Sequence, residues 1–556
     1  MVSLSSDDTP TGPLTGARAQ QAPPAAGPGQ LSFPGPPASG HLTRRRTGLR
    51  DLTAAAFVVA ALFFPWNLYF GFRIPGSRTW SWLVLLLVTA LSLMSLALSR
   101  AQLNPVVAGR LRLALNIPYL LLLVAFVGYD VFETIRSGGT VHVPGGVGPG
   151  GWLGVVGSLL AAQPVPTSPT VDEYGNRRWL RAARIIGYAS MFGAALSCGF
   201  NLCWRIRYAL RGSDGSVAFG TQNVAVIATA VVYGVVALTA VLVASRWILR
   251  ETTASRLAVL ALGASTVVAG IIVWILPIGR EIDAFHGIAQ NTSTAGVGYE
   301  GYLAWAAAAA LFAPLALFGT NTRRDQDVWR TAIRKGLLLI VVWCLGSVLM
   351  RVTDLVVAVM LNYPYSRYDT LTLAAFDLTT AVLALWLRVN LANDALRARL
   401  LAALSGFLFT LTVSRVIVGI ALAPRFQESP GAPPNPVYGN NLAQQITSTF
   451  DVVLCGLAAC ILAAVIVAAR IRRPRRRVRR VRRVRRPVQP GAGSRPPGGP
   501  LPPSEATTTR FGVAGDDHNA PTAVLSGGAR SPRIFRSGES TRQERPKIFR
   551  PPGSPP

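Results

Sequence analysis

Twelve apolar stretches of membrane-spanning character alternate along this chain with short polar segments. A bilayer core about 30 Å thick is crossed by about 20 helical residues, and no water is present inside it to satisfy exposed peptide groups. The pattern therefore predicts an all-α, polytopic bundle of about 12 transmembrane helices. The predicted spans cover residues 52–72, 79–99, 111–135, 147–162, 184–204, 221–245, 257–278, 300–318, 336–361, 368–387, 399–422 and 442–469.

The fourth stretch, residues 147–162, is the shortest of the twelve. Pro144, Pro149 and a run of glycines come before Trp152, and both residue types interrupt helices. The stretch is either a complete span or a re-entrant segment, because irregular backbone at membrane depth is tolerated where protein covers it. The sequence leaves both alternatives open.

Lysine and arginine are concentrated in alternate connections between the predicted spans. If the N-terminus is cytoplasmic, the cytoplasmic connections carry more than twice as many basic residues as those on the other side. Basic residues close to span ends stay in the cytoplasm during insertion. We therefore expect a multi-pass protein of the plasma membrane with both termini in the cytoplasm.

The composition agrees with a membrane protein and offers no sign of a catalytic centre. Charged residues make up 14% of the chain, against roughly 25% in a typical soluble domain. The five cysteines all fall in predicted spans without a CxxC pair or a metal-binding spacing, and no P-loop, HExxH or GxSxG motif is present. We expect no cofactor, no metal site and no enzymatic activity.

The two ends of the chain differ from its apolar middle. Residues 1–48 are rich in Pro, Gly and Ala and residues 487–556 in Pro, Gly and Ser. Such segments carry too little apolar surface to offset the conformational entropy of folding. The predicted organisation is a disordered N-terminal tail, a transmembrane bundle over 49–469, an arginine-rich juxtamembrane segment over 470–486 and a disordered C-terminal tail.

Five charged residues lie inside the last four predicted spans: Arg351, Asp354, Asp377, Arg415 and Asp451. A charge at a helix centre costs about 2.5–3.5 kcal/mol on insertion scales, so these side chains should face protein or water. Arg351 and Asp354, three residues apart, share one helical face. The set is either a group of structural ion pairs or the wall of a polar cavity that binds a substrate, ion or proton.

Three acids against two arginines leave one carboxylate without a partner. We hypothesise that Asp377 or Asp451 is that spare acid. The same residues also suggest a duplication of 336–387 in 399–469. Met350-Arg351-Val352 and Phe376-Asp377-Leu378 are echoed by Ser414-Arg415-Val416 and Phe450-Asp451-Val452. The two units would be parallel repeats, unless the echo is coincidental.

Twelve arginines follow the last predicted span directly. At about 1 kcal/mol per basic residue near an anionic surface, the segment is expected to bind anionic phospholipid of the cytoplasmic leaflet. Nucleic acid is the competing ligand, but the position beside the membrane favours lipid. The arginines are Arg470, Arg472, Arg473, Arg475, Arg476, Arg477, Arg479, Arg480, Arg482, Arg483, Arg485 and Arg486.

The C-terminal tail also contains two related basic segments with an aromatic residue. Pro532-Arg533-Ile534-Phe535-Arg536 is nearly repeated as Pro546-Lys547-Ile548-Phe549-Arg550. Two tandem copies could anchor a protein partner through a raised effective concentration. Coincidence in a sequence of biased composition is the alternative.

Two short motifs give a resemblance to a known family. They are Pro65-Trp66-Asn67 with Pro75-Gly76-Ser77-Arg78, and Gly148-Pro149-Gly150-Gly151-Trp152-Leu153. With these motifs the chain resembles uncharacterised multi-pass membrane proteins of mycobacteria and related actinobacteria. The resemblance implies a membrane location and no particular activity.

Two functions of different class fit these observations. The first is a transporter, permease or flippase for a small solute or cell-envelope component, which predicts a water-accessible cavity at the five charges. The second is a non-catalytic scaffold that recruits envelope or division partners through its tails. A scaffold predicts a closed and fully paired cluster, and an intramembrane enzyme is a weaker third alternative.

Overall fold

The structure is a computed structural model. It describes residues 38–66, 80–98, 104–136, 146–164, 173–211, 220–250, 252–276, 298–318, 326–362, 367–391, 396–422 and 448–471. Most of the arginine-rich segment and both Pro-Arg/Lys-Ile-Phe-Arg copies lie outside these residues, so their predicted roles stay predictions.

Each predicted span overlaps one helix of the structure. Within the described residues the chain forms twelve α-helices, numbered here in chain order. They are α1 Ala38–Ala60, α2 Trp80–Leu98, α3 Pro105–Arg136, α4 Pro149–Ala162, α5 Glu173–Arg211, α6 Thr221–Leu249, α7 Thr253–Ile275, α8 Tyr299–Phe318, α9 Gln326–Met360, α10 Arg367–Asn390, α11 Ala398–Leu422 and α12 Thr449–Ile471.

The prediction of an all-helical, membrane-type architecture is confirmed. Among the described residues, nine helices are long and apolar enough to cross a bilayer, namely all except α1, α4 and α8. Many large apolar side chains on these helices are exposed, as expected for surfaces that face hydrocarbon. The architecture fits an integral membrane protein. The count of twelve crossings and the cytoplasmic placement of both termini stay predictions.

Helix α4 lies inside the protein. All 14 of its residues are buried, and at 1.5 Å per residue the helix is about 21 Å long, which is shorter than the hydrocarbon core. It packs against α1, α3 and α8. Of the two alternatives for residues 147–162, the structure therefore favours a short segment covered by protein over an ordinary lipid-facing span.

Backbone hydrogen bonds join the N-terminus of α4 to Pro65 and Trp66, which follow the end of α1. The Gly148 N–H donates to the Trp66 carbonyl oxygen at 2.7 Å, and the Gly150 N–H donates to the Pro65 carbonyl oxygen at 2.8 Å. A Cβ atom on Gly148 would lie 2.6 Å from the Pro65 carbonyl oxygen, so only glycine allows this approach. Pro65-Trp66, the described part of the first motif of the family resemblance, is thus in direct contact with the second motif.

The C-terminus of α4 contacts a buried group of charges. The Arg112 Nη2 lies 2.5 Å from the Asp51 Oδ1, and the Arg50 Nη2 lies 3.2 Å from the same oxygen. The two guanidinium groups also donate to the carbonyl oxygens of Gln163 and Pro164, at 3.3 and 2.9 Å. Cations are favourable there, because a helix C-terminus carries partial negative charge. The buried pairs hold α4 in place between α1 and α3.

Small residues bring the central helices close together. Ala306, Ala308 and Ala310 of α8 are buried, and a Cβ on Gly263 of α7 would overlap the Trp305 carbonyl oxygen. Such contacts suit helix association in lipid, where close packing replaces the hydrophobic driving force. Helix α7 of this closely packed centre also contacts α9 and α12, which carry part of the charge cluster described below.

Candidate functional site

Four of the five intramembrane charges form one ion network. Each of the last four helices supplies one member, with Arg351 on α9, Asp377 on α10, Arg415 on α11 and Asp451 on α12. The Arg351 Nε lies 3.2 Å from the Asp377 Oδ2, and the Arg415 Nε lies 2.8 Å from the Asp377 Oδ1. Arg415 also pairs through Nη1 with the Asp451 Oδ2. All four side chains are buried.

A serine hydroxyl adds a further hydrogen bond to the Asp377 carboxylate. The Ser347 hydroxyl donates to the Asp377 Oδ2 at 2.6 Å. It in turn accepts a hydrogen bond from the Arg415 Nη2 at 3.2 Å. Ser347 stands one helical turn before Arg351 on α9, so both side chains reach the same carboxylate. Asp377 thus receives hydrogen bonds from two arginines and a hydroxyl.

Asp451 is held at the start of α12. The Trp343 Nε1–H donates to its Oδ1 at 2.7 Å, and the Ser448 N–H donates to its Oδ2 at 2.7 Å. The Ser448 hydroxyl accepts from the Asp451 N–H at 3.3 Å, so the two residues cap the helix reciprocally. The sequence placed Asp451 well inside a span that began at 442. The described helix begins at Thr449, which puts Asp451 in its first turn.

Both Arg–Asp pairs of the suggested duplication are made. Arg351 pairs with Asp377 inside the first unit and Arg415 pairs with Asp451 inside the second, while the Arg415–Asp377 contact joins the units. The hypothesis that Asp377 or Asp451 is the spare acid is therefore wrong. Two arginines and two aspartates give a network without net charge, which lowers the cost of burying it.

Among the described residues, Asp354 is the one acid of the five charges that makes no ion pair. Its Oδ2 accepts a hydrogen bond from the Tyr233 hydroxyl of α6 at 2.6 Å. Its Oδ1 is buried and accepts no hydrogen bond within the described part of the chain. Arg351 shares the helical face, as predicted, but its Nε is directed to Asp377 instead. Asp354 forms no ion pair with any residue that the structure describes.

Sequence reasoning missed several partners of the cluster. Trp343, Ser347 and Tyr233 were read as ordinary members of apolar spans, although a tyrosine or tryptophan buried in a helix usually finds a polar partner. The Arg50–Asp51–Arg112 group was also missed. Asp51 lies just outside one predicted span and Arg112 at the edge of another, so the cost of a charge at a helix centre did not single them out.

The structure describes little of the arginine-rich segment 470–486, and its binding of anionic lipid stays a prediction. Only the backbone of Arg470, in the last turn of α12, belongs to the described residues; the arginines from Arg472 to Arg486 do not.

Comparison with curated proteins and with solved structures found no match to this chain. A family model does match, and it covers residues 48–470, which is more than half of the chain. The matched region contains all five intramembrane charges, the buried helix α4 and the Pro65–Trp66 junction. The family carries no assigned activity. This membrane-type helical chain belongs to the family defined by the domain of unknown function DUF7937.

Proposed function

We propose that this integral membrane protein moves a small solute or a lipid-linked envelope component across the plasma membrane through its C-terminal helices. The observation that supports this function is the isolation of Asp354 from the paired network. A carboxylate inside a membrane domain is costly and commonly marks an ion or substrate pathway.

The position of Asp354 in the suggested duplication supports a functional role. When Arg351 is aligned with Arg415, Asp354 falls opposite Val418. The residues that form ion pairs are therefore present in both units, whereas Asp354 is present in one. A group needed only to fix helix packing is expected in both units. Asp354 departs from that expectation.

The test compares two acids of the cluster in a strain depleted of the native protein. Asp354→Asn is expected to stay in the membrane at the wild-type amount and to fail to restore solute uptake or envelope lipid composition. Asp377→Asn removes an acid that two arginines share, so loss of the protein itself is expected. Asp327→Asn, at an exposed carboxylate on the same helix as Asp354, serves as the matched control. Full complementation by Asp354→Asn contradicts the proposal.

A non-catalytic scaffold is the second candidate, and one specific observation favours it. Four of the five charges are mutually paired and buried, as a closed bundle requires. Its function would then depend on the tails, through lipid at 470–486 and a protein partner at 532–536 and 546–550. Removal of 487–556 should reproduce the depletion phenotype if the scaffold is correct. It should leave uptake intact if transport is correct.

A further inference from the structure

We propose that Asp354 and Tyr233 form a binding site for a small monovalent cation. The inference rests on the proposed transport function and names the class of ion that the polar site would take. Two observations support the site: the Asp354 Oδ1 is buried without a hydrogen bond in the described part of the chain, and the neighbouring charges are paired with one another.

The charges around Asp354 indicate the charge of the ion that would bind there. The two arginines of the network form ion pairs with Asp377 and Asp451, so Asp354 is the one carboxylate of the five charges that makes no ion pair with a described residue. A single positive charge restores neutrality. Divalent ions such as Ca²⁺ are bound by six to eight oxygens, commonly with several carboxylates. One carboxylate beside one phenol is a poor match for them.

Oxygen atoms of both residues are available to a cation. Tyr233 uses its hydroxyl hydrogen for the Asp354 Oδ2, and the phenol oxygen keeps its capacity to accept. The Asp354 Oδ1 is buried and accepts no hydrogen bond in the described part of the chain. A metal ion or an ammonium group that reached this oxygen would therefore gain a charge-assisted contact without displacing an existing protein partner.

Close packing of two helices fixes the site. The side chain of Tyr233 is only 5% exposed. Near it, Val236 of α6 approaches Gly346 of α9 so closely that a Cβ on Gly346 would lie 2.5 Å from the Val236 Cγ1. The phenol is thereby held against α9 at Asp354. A preorganised ligand pair loses little conformational freedom when it binds.

Arg351 is the nearest basic residue to Asp354 along the helix, and its charge would repel a bound cation unless another acid offset it. Its Nε donates to the Asp377 Oδ2 at 3.2 Å, so Asp377 offsets its charge. Repulsion of an incoming cation is reduced accordingly. The ion network and the cation site are therefore neighbours with separate roles.

The experiment measures thermal unfolding of the full-length protein in lipid nanodiscs at fixed pH and ionic strength. Sodium chloride and methylammonium chloride are the two probes. N-methylglucamine chloride, whose cation is much larger than either probe, balances the salt. A ligand that binds the native state raises the apparent Tm as its concentration exceeds Kd. We expect one or both small cations to stabilise the wild type and the Asp327→Asn control.

Asp354→Asn should abolish this stabilisation. Tyr233→Phe removes the phenol oxygen that would contact the cation and should weaken the apparent affinity by at least about tenfold, since a polar contact with a charged group contributes about 1.5–3 kcal/mol. A response to sodium alone identifies a metal cation, and a response to methylammonium alone identifies an amine. Equal responses of the wild type and Asp354→Asn overturn the site. If Asp354→Asn does not fold, an unchanged affinity in Tyr233→Phe has the same meaning.

The outcomes separate this inference from the proposed function. Loss of uptake in Asp354→Asn without any cation-dependent stabilisation of the wild type would keep transport and reject the cation site. Cation binding at Asp354 with normal uptake in the variant would keep the site and reject its role in transport.

Discussion

Replacement of Arg415 by leucine tests whether the ion network holds the last four helices together. Arg415 is the one side chain of the network that pairs with both acids. After its removal, Asp377 still has Arg351 and the Ser347 hydroxyl. Asp451 loses the only basic group that pairs with it among the described residues. It retains hydrogen bonds from Trp343 and Ser448, but these do not supply a compensating charge.

The loss of stability expected for Arg415→Leu follows from the burial of Asp451. Removing one partner of a buried ion pair costs about 3–5 kcal/mol, because the remaining charge stays uncompensated. At about 1.4 kcal/mol per tenfold change, Arg415→Leu should shift the unfolding equilibrium by at least about a hundredfold. Asp451→Asn in the Arg415→Leu background should recover part of this loss, since it removes the isolated charge.

The assay is unfolding of the purified protein by SDS titration in mixed micelles, followed by tryptophan fluorescence. Arg399→Leu is the matched control, because this arginine lies on the same helix and is exposed. Its effect should stay within about 0.5 kcal/mol. A cost of Arg415→Leu no greater than that of Arg399→Leu, or no recovery in the double variant, would show that the pairing does not stabilise the bundle.

Two further predictions concern the packing and the orientation of the bundle. Gly263→Ala should destabilise the protein by about 1–3 kcal/mol in the same titration, because its Cβ would overlap the Trp305 carbonyl oxygen and force the helices apart. Gly406→Ala, with nothing within 4 Å of the new atom, should instead stabilise it by about 0.5–1 kcal/mol. A reporter fused to the C-terminus should be active in the cytoplasm; activity only outside would refute the predicted topology.

The sequence was sufficient for the helical class and for the candidate charges. An apolar segment in hydrocarbon must satisfy its own peptide groups, so length and hydropathy alone predict a helix. The same cost argument placed Arg351, Asp377, Arg415 and Asp451 in the protein interior, and the structure has all four buried. These inferences needed no knowledge of which helices are neighbours.

The pairing of those charges was decided by tertiary structure. Asp377 and Asp451 were equally good candidates for the spare acid, and helical spacing placed Arg351 and Asp354 only on the same face of one helix. The actual partner of Asp354 is Tyr233, 121 residues away. Such contacts depend on which helices are adjacent and on their rotation about their own axes, and one sequence contains neither quantity explicitly.

For α4, too, the sequence predicted the helix and the tertiary structure decided its surroundings. Its composition indicated a short helix that either crosses lipid or lies within protein, because apolar residues suit both environments. Only the packing of α1, α3 and α8 around it, with Arg50 and Arg112 at its end, favoured the second alternative. Local chemistry determined that this chain forms apolar helices and where its charges are costly. The arrangement of the helices decided which charges form ion pairs and which acid stays outside the ion network.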